Sequence, residues 1–340
     1  MTRPTLRHIA DKLGVSTATV SLAMRGNERI SQRTQERVRA ALEESGYIYA
    51  RSAASLRTSR THTVGVILND VSDPFFSALL ASLEDALAQT GRTVFLCNTH
   101  ESCRRQADFL RIMAEYNADG IIVSPAIGST PEQFSSEHIP VPPLVFVSRA
   151  FTDTAFDYVI NDDHEAGRLA TERLLGLGHR RIAVVGGDPS ATPFHVRLRG
   201  HRAALESRSV AFDDTLVKPS LPTRPEGFRA AQWIAGLDPR PTAAICYNDS
   251  IAVGLFHGLV QEGLFPGKNF ALIGHEDLEE ASLLSPPLSV TRVSRDEMGR
   301  RAAAALVERI ETPDAPPKRI VLKTELIVRG TCSVSVTPEA

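Results

Sequence analysis

The chain has 340 residues, of which 42% are apolar and 23% charged, and its formal net charge is −2. That is too much chain for one small core, and no apolar run approaches the roughly 20 residues that span a bilayer, which leaves a soluble protein of two or three domains. The near-neutral total hides a polarity: residues 1–60 hold 11 Lys and Arg against 5 Asp and Glu, while the rest hold 27 against 35.

A basic head on an acidic body suits a DNA-binding segment joined to a ligand-binding one. From the N-terminus, Thr5 can cap a helix in which Leu6, Ile9, Ala10 and Leu13 recur at helical spacing, and Gly14 ends it. Ser16 can cap a second helix that turns Val20 and Ala23 toward the first, leaving Thr17, Ala18, Ser21 and Leu22 near the outer face. Two short helices joined through a glycine turn predict a helix-turn-helix, whose second helix enters the DNA major groove. The same spacing also occurs in ordinary helical cores. A third helix is predicted from Ser31 to about Gly46, with Val38, Ala41 and Leu42 on one face.

The motifs IADKLGVSTATVSLAM, RVRAALEESGY and ARSAASLR, in that order, resemble the LacI/GalR family of bacterial transcription regulators, and the likeness runs through nearly the whole chain. The resemblance implies a DNA-binding head over residues 1–47, a hinge helix or linker over 48–60, and a two-lobed effector-binding and dimerisation body over 61–335. In the head it places Thr17, Ala18 and Leu22 at base-reading positions. Thr17 and Ala18 cannot make the bidentate contacts that Arg makes to guanine or Gln to adenine, and Leu22 offers only apolar contact, so the predicted readout relies on hydrophobic contact and shape. Thr5, Ser16, Thr19, Ser21 and Arg25 complete the expected head contacts, the last four nearer the phosphates. In the family's hinge, two copies enter the minor groove and a Leu opens the central base step. Leu56 matches that Leu, Ala53 matches a small residue allowing close approach, and Arg51 and Arg57 can reach phosphates. Many members have Pro-Asn before this helix where this chain has Tyr49-Ala50, and loss of the Asn cap predicts a hinge helix that depends more on DNA.

Beyond Thr63 the pattern becomes strand, helix, strand. Strands are predicted at 64–68, 93–97, 120–124 and 144–147, with helices at about 75–90 and 102–117. The pattern restarts with helices at 164–176, 195–207 and 249–262 and strands at 181–187, 243–247 and 270–274. Continuous β-branched runs alternating with amphipathic helices predict parallel strands covered on both faces. The fold class is α/β, two doubly wound lobes with a cleft beyond the carboxyl ends of the strands. The resemblance makes this body of periplasmic-binding-protein type, with lobe 1 at about 61–161 and 293–322 and lobe 2 at about 162–292 and 323–335.

Beyond those strand ends stand Asn69, Asp70, Asp73-Pro74-Phe75-Phe76, Ser124 and Ser148-Arg149, then Arg197, Asn248-Asp249 and His275-Glu276-Asp277. Carboxylates and amides that exchange hydrogen bonds with adjacent hydroxyls, beside an aromatic face, suit a hydroxyl-rich ring. The expected effector set is Asp70, Phe75, Ser124, Ser148, Arg149, Arg197, Asn248, Asp249 and Glu276, and the resemblance strengthens Phe75, Arg197, Asn248 and Glu276. Family members commonly carry Asp where Glu276 stands and often where Ser148 stands, and Pro222 replaces a frequent aromatic. These departures predict an altered hydroxyl pattern. VSLAMRGNERIS, VFVSRA and CYNDSIAVG look most like the maltose-linked, MalI-type subgroup.

No catalytic constellation stands out. Gly186-Gly187-Asp188 lacks a nucleotide-binding fingerprint, the ten His are scattered, and Cys97, Cys103, Cys246 and Cys332 lack metal-ligand spacing. The expectation is a cytoplasmic non-enzyme with no metal, no cofactor and no membrane contact. The resemblance implies a repressor acting as a homodimer on a pseudo-palindromic operator, controlled by a sugar or polyol. The absence of leucine heptads after Gly330 predicts no tetramerising coiled coil. The other reading, a sugar-binding receptor without a DNA role, is disfavoured by the basic head and by the lack of an apolar signal segment.

Overall fold

The computed structural model describes residues 4–24, 26–47, 60–135, 141–151 and 153–333. The expected contacts Arg25, Arg51, Ala53, Leu56 and Arg57 lie outside the described residues, as does nearly all of the predicted hinge. The chain divides into two compact units, Met1–Thr61 and His62–Ala340.

In the first unit, α1 (Leu6–Leu13), α2 (Thr17–Met24) and α3 (Gln32–Ser45) form a small bundle. Thr5 Oγ1 accepts the His8 amide at 3.4 Å while His8 Nδ1 accepts the Thr5 amide at 3.2 Å, a reciprocal cap that satisfies two helix-end donors. Gly14 ends α1 at φ 68°, a left-handed conformation that costs glycine little. Ser16 Oγ accepts the Thr19 amide at 3.0 Å and so starts α2. Ile9, Ala10, Val20, Ala23, Val38 and Ala41 make the core. Ser21 departs from the sequence reading: it is buried, not on the outer face. At 100° per residue it lies beside Val20 and Met24, on an arc wide enough to bury a small side chain as well.

The second unit begins with β1 (Thr63–Leu68), α4 (Pro74–Ala88), β2 (Thr93–Asn98), α5 (Cys103–Glu115), β3 (Gly120–Val123), β4 (Leu144–Val147) and β5 (Asp157–Asn161). The chain then enters a second lobe of α6 (Asp163–Gly176), β6 (Ile182–Val185), α7 (Thr192–Ser207), β7 (Val217–Lys218), α8 (Arg224–Gly236), β8 (Ala243–Cys246), α9 (Asp249–Gln261), β9 (Ala271–Glu276), α10 (Glu279–Leu283) and β10 (Ser289–Arg292). It returns to the first lobe with α11 (Arg295–Glu311) and β11 (Arg319–Leu322), and ends in the second with β12 (Glu325–Ile327). The first sheet is parallel throughout, in the order β11-β5-β4-β3-β1-β2. The second runs β12-β10-β9-β8-β6-β7, with only β12 antiparallel to its neighbour.

Alternation along the strands covers both faces. Val64, Val66 and Leu68 of β1 pack with Leu79 and Leu83 of α4 and Met298 and Leu306 of α11, while Ile67 packs on the opposite side with Leu110 and Met113 of α5. In the second lobe Ala183 and Val185 face α8 and α9, and Ile182 faces Leu174 of α6 and Leu205 of α7. The edge strands depart from this pattern: Phe95 and Leu96 of β2 are 39% and 42% exposed and Val321 of β11 is 51% exposed, because these strands end the first sheet. Strand β5 escaped the sequence reading because it starts and ends on polar residues. Asp157 is buried there, and Arg309 of α11 grips it at 2.7 and 3.0 Å while the Lys318 amide donates to it at 2.6 Å. A charge so compensated can stand inside a sheet.

Candidate functional site

Two sites follow from this architecture. On α2, Thr17 and Ala18 are exposed, as are Ser16 just before it and Thr5 before α1. Thr19 and Leu22 are half-buried, and Leu22 is not among the side chains packed into the bundle core. The face that presents Thr17, Ala18 and Leu22 is therefore free to meet a groove, whereas buried Ser21 is not.

The second site is a cavity of about 720 Å³ between the two lobes, within the volume that small-molecule sites occupy. Strand ends and the helix starts that follow them line it. Asp70, Phe75, Ser148 and Arg149 come from the first lobe, and Arg197, Asn248 and Glu276 from the second. The other two expected residues are not among the lining. Ser124 is fully buried behind the end of β3, its amide donating to the Ile67 carbonyl at 2.9 Å. Asp249 is also fully buried: its Oδ2 accepts the Leu278 amide at 2.7 Å, tying α9 to the loop after β9. Burial pushes the Asp249 carboxyl up to about 7.

Two side chains of this wall were not legible as partners. Glu101 receives Arg149 through both guanidinium nitrogens at 2.9 Å, and it also accepts the Ile127 amide at 2.8 Å and the Asn69 amide group at 3.2 Å. Asp163, the first residue of α6, takes the Arg197 Nε at 2.7 Å. Arg197 also donates to the Tyr247 carbonyl, and its guanidinium lies 4.6 Å from the centre of the Tyr247 ring. Two glycines bring these helices close enough. A Cβ at Gly167 of α6 would stand 2.1 Å from the Arg197 carbonyl oxygen, and one at Gly200 of α7 would stand 2.0 Å from that of His164. Burial pushes the Asp163 carboxyl up, opposed by Arg197, and the carboxylate in turn keeps the buried guanidinium protonated. His275 Nε2 lies 4.0 Å from Asp163, but burial holds its pKa well below the usual range, so a neutral imidazole faces the pair and its Nδ1 meets Thr291 Oγ1 at 2.7 Å.

The remaining polar groups are held in costly conformations. Ser148 and Glu276 have φ of 61° and 109°, a region that L residues seldom occupy. Asn248 Oδ1 caps α9 by accepting the Ile251 amide at 2.9 Å, and its amide group donates to the Pro222 carbonyl at 3.3 Å. Glu276 is buried, and burial, reinforced by the charges of Asp73 and Asp249, pushes its carboxyl well above the carboxylate range. The wall thus combines fixed donors, a buried carboxyl pushed above its ordinary range and the edge-to-face pair Phe75 and Phe76, whose ring centres are 5.1 Å apart. Among the described residues no group of three or more His, Cys, Asp and Glu could hold a metal ion, and no helix is long and apolar enough to cross a membrane.

Residues 5–49 match the family described as bacterial regulatory proteins, lacI family, and residues 171–332 match a periplasmic binding protein-like domain. Over 326 residues the chain is 31% identical to the ribose operon repressor of Escherichia coli (strain K12), covering 96% of this chain and 99% of that one. It is 30% identical over 328 residues to the HTH-type transcriptional repressor PurR of Vibrio vulnificus (strain CMCP6), covering 96% and 98%. Among solved structures, a transcriptional regulator CelR–cellobiose complex superposes with a TM-score of 0.73 at 28% identity, over 97% of this chain and 100% of that one.

Proposed function

The chain belongs to the lacI family of bacterial regulatory proteins and is a DNA-binding transcription regulator, and from that premise we propose that it is a repressor controlled by a small sugar-like effector held between the lobes. The observation that carries the effector reading is the cavity itself. Arg149 and Ser148 on one wall face Arg197, Asn248 and Glu276 on the other, and Phe75 offers an apolar ring to a sugar face. The names of relatives agree with this chemistry: one represses a ribose operon and one was solved with cellobiose. A maltose-type ligand is a further candidate from the sequence motifs.

The proposed DNA contacts are Thr5, Ser16, Thr17, Ala18, Thr19 and Leu22 of the head, with Arg25 and the hinge residues Arg51, Ala53, Leu56 and Arg57. The proposed assembly is a homodimer on a pseudo-palindromic operator. Exposed Phe95 and Leu96 on edge strand β2, with exposed Tyr116 just after α5 packed on Phe95 and exposed Ile112 of α5, supply apolar surface that a second copy would cover. The protein is proposed to work in the cytoplasm, without catalysis. The effector acts by binding one arrangement of the lobes more tightly than the other, since equal affinity for both would shift nothing. Selection of bound duplexes from a random DNA pool, repeated with a panel of free sugars, tests the whole reading. Enrichment of a palindrome whose binding a sugar alters is the expected result, and enrichment of no sequence would refute it.

A further inference from the structure

The charges around the cavity are unevenly satisfied. Its lining contains three cationic side chains, Arg149, Arg197 and Arg224, and each already has a carboxylate of the protein: Glu101, Asp163 and Glu280. Four further carboxyl groups line the same space, Asp70 and Asp73 from the first lobe and Asp188 and Glu276 from the second. Among the described residues none of these four has a Lys or Arg in ion-pair contact, and the one basic side chain within 4.0 Å of any of them is the His100 imidazole beside Asp70. Glu276 is 7% exposed, and its Oε2 has no hydrogen-bond partner among the described residues. A buried acceptor or donor left in this state is normally completed by a ligand or water.

Resting on the reading of this cavity as an effector site, we infer that it selects by charge: it admits a polyol that is neutral or carries an ammonium group, and rejects phosphorylated and carboxylated sugars. An anion could take over a guanidinium of the cavity only by drawing Arg224 from Glu280 near the solvent, Arg149 from Glu101 or, deepest, Arg197 from Asp163. Asp163 is buried, so that exchange would strand an uncompensated carboxylate inside the protein. Without the exchange, the anion meets the unpaired carboxylates of Asp70 and Asp73 on one wall and of Asp188 on the other. At an effective dielectric constant of about 20, one such group roughly 8 Å away weakens anion binding by about 30-fold. A hydroxyl or an ammonium meets the same oxygens as a hydrogen-bond donor.

Calorimetric titration of the full-length protein with matched probes tests this: glucose, ribose, maltose and cellobiose, then glucose 6-phosphate, ribose 5-phosphate, glucuronate and glucosamine. The expected result is binding within the neutral and amino members, with each anionic form at least about 100-fold weaker than its parent. An anionic form that binds as tightly as its parent would overturn the charge selection while leaving the sugar-effector reading in place. If no probe binds, and the protein still selects an operator, the sugar-effector reading fails and the inference falls with it. The variant Asp73→Asn provides a second readout, because Asn still accepts the Phe75 amide that caps α4. It should narrow the gap between a sugar and its phosphate by about 30-fold, and an unchanged gap would overturn the inference.

Discussion

Replacing Asp163 by Asn changes almost no volume but removes the carboxylate that holds Arg197. The pair is enclosed, with side-chain exposures of 18% for Arg197 and 9% for Asp163, and the contact is 2.7 Å. Removing one partner of such a pair typically costs about 3–5 kcal/mol, because the other charge is left desolvated. Arg197 keeps the Tyr247 carbonyl and ring, so the lower end of that range applies here. A loss of about 3 kcal/mol corresponds to a melting temperature lowered by roughly 6–12 °C for a unit of this size. Thermal unfolding followed by circular dichroism measures the shift, and titration with the effector should reveal at least a tenfold weaker affinity as the guanidinium loses its fixed direction. Combining Asp163→Asn with Arg197→Met should be less harmful to stability than the two single losses added together, because the stranded charge is gone. A single variant that melts within about 1 °C of the parent and binds effector equally would refute the argument that Asp163 positions Arg197.

Three further outcomes follow. Leu56→Ala should weaken operator binding several-fold in a gel-shift titration and leave effector affinity unchanged, and an unaltered operator affinity would remove Leu56 from the proposed wedge role. Burial pushes the His201 pKa down to about 4 from an unfolded value near 6.5. The unfolded chain therefore takes the proton first, so this stabilisation is complete above about pH 6.5 and is lost as pH falls toward 4, by about 3 kcal/mol at most. Urea unfolding of His201→Gln at pH 7 and pH 4.5 should give a smaller acid loss than the parent, and equal losses would contradict the assignment. Gly167→Ala puts a methyl group 2.1 Å from the Arg197 carbonyl oxygen, which α6 and α7 can relieve only by separating. Such overpacking costs about 1–3 kcal/mol, measurable as a lower urea midpoint, and should weaken effector binding along with it.

What could be read from the sequence was decided by how local the physics is. The three head helices were legible because Thr5, Ser16 and Ser31 cap them and Gly14 and Gly46 end α1 and α3, all within a few residues of the elements concerned. Parallel strands such as β1 and β3 announced themselves as unbroken apolar runs. Strand β5 did not, since its Asp157 is admitted to the sheet by Arg309, which is 152 residues away. Cavity residues were found where a strand legible in the sequence ends on the polar group, as with Asp70, Ser148 and Glu276, whereas Asn161 at the end of β5 was missed with its strand. Their partners were missed for the same reason as β5: that Glu101 faces Arg149, or Asp163 faces Arg197, depends on crossings of the chain that no local pattern encodes. Ser124 and Asp249 are the converse error, strand-end and helix-start residues that neighbouring loops cover completely.

The pairing pattern also constrains how an effector can work. Each ion pair lining the cavity closes within one lobe: Glu101 with Arg149 in the first, Asp163 with Arg197 and Arg224 with Glu280 in the second. Among the described residues, no ion pair joins the facing walls. The walls therefore gain little salt-bridge energy by approaching, and their unpaired carboxylates, Asp70 and Asp73 against Asp188, favour separation. A ligand whose hydroxyls bridge Ser148 or Arg149 on one side and Asn248, Arg197 or Glu276 on the other adds contacts that exist only when the walls are close. All of that bridging energy is differential between the open and closed arrangements, which is the quantity that moves such an equilibrium. A ligand long enough to touch one wall only would bind without shifting it, so effector potency should follow the number of bridging hydroxyls more closely than it follows affinity.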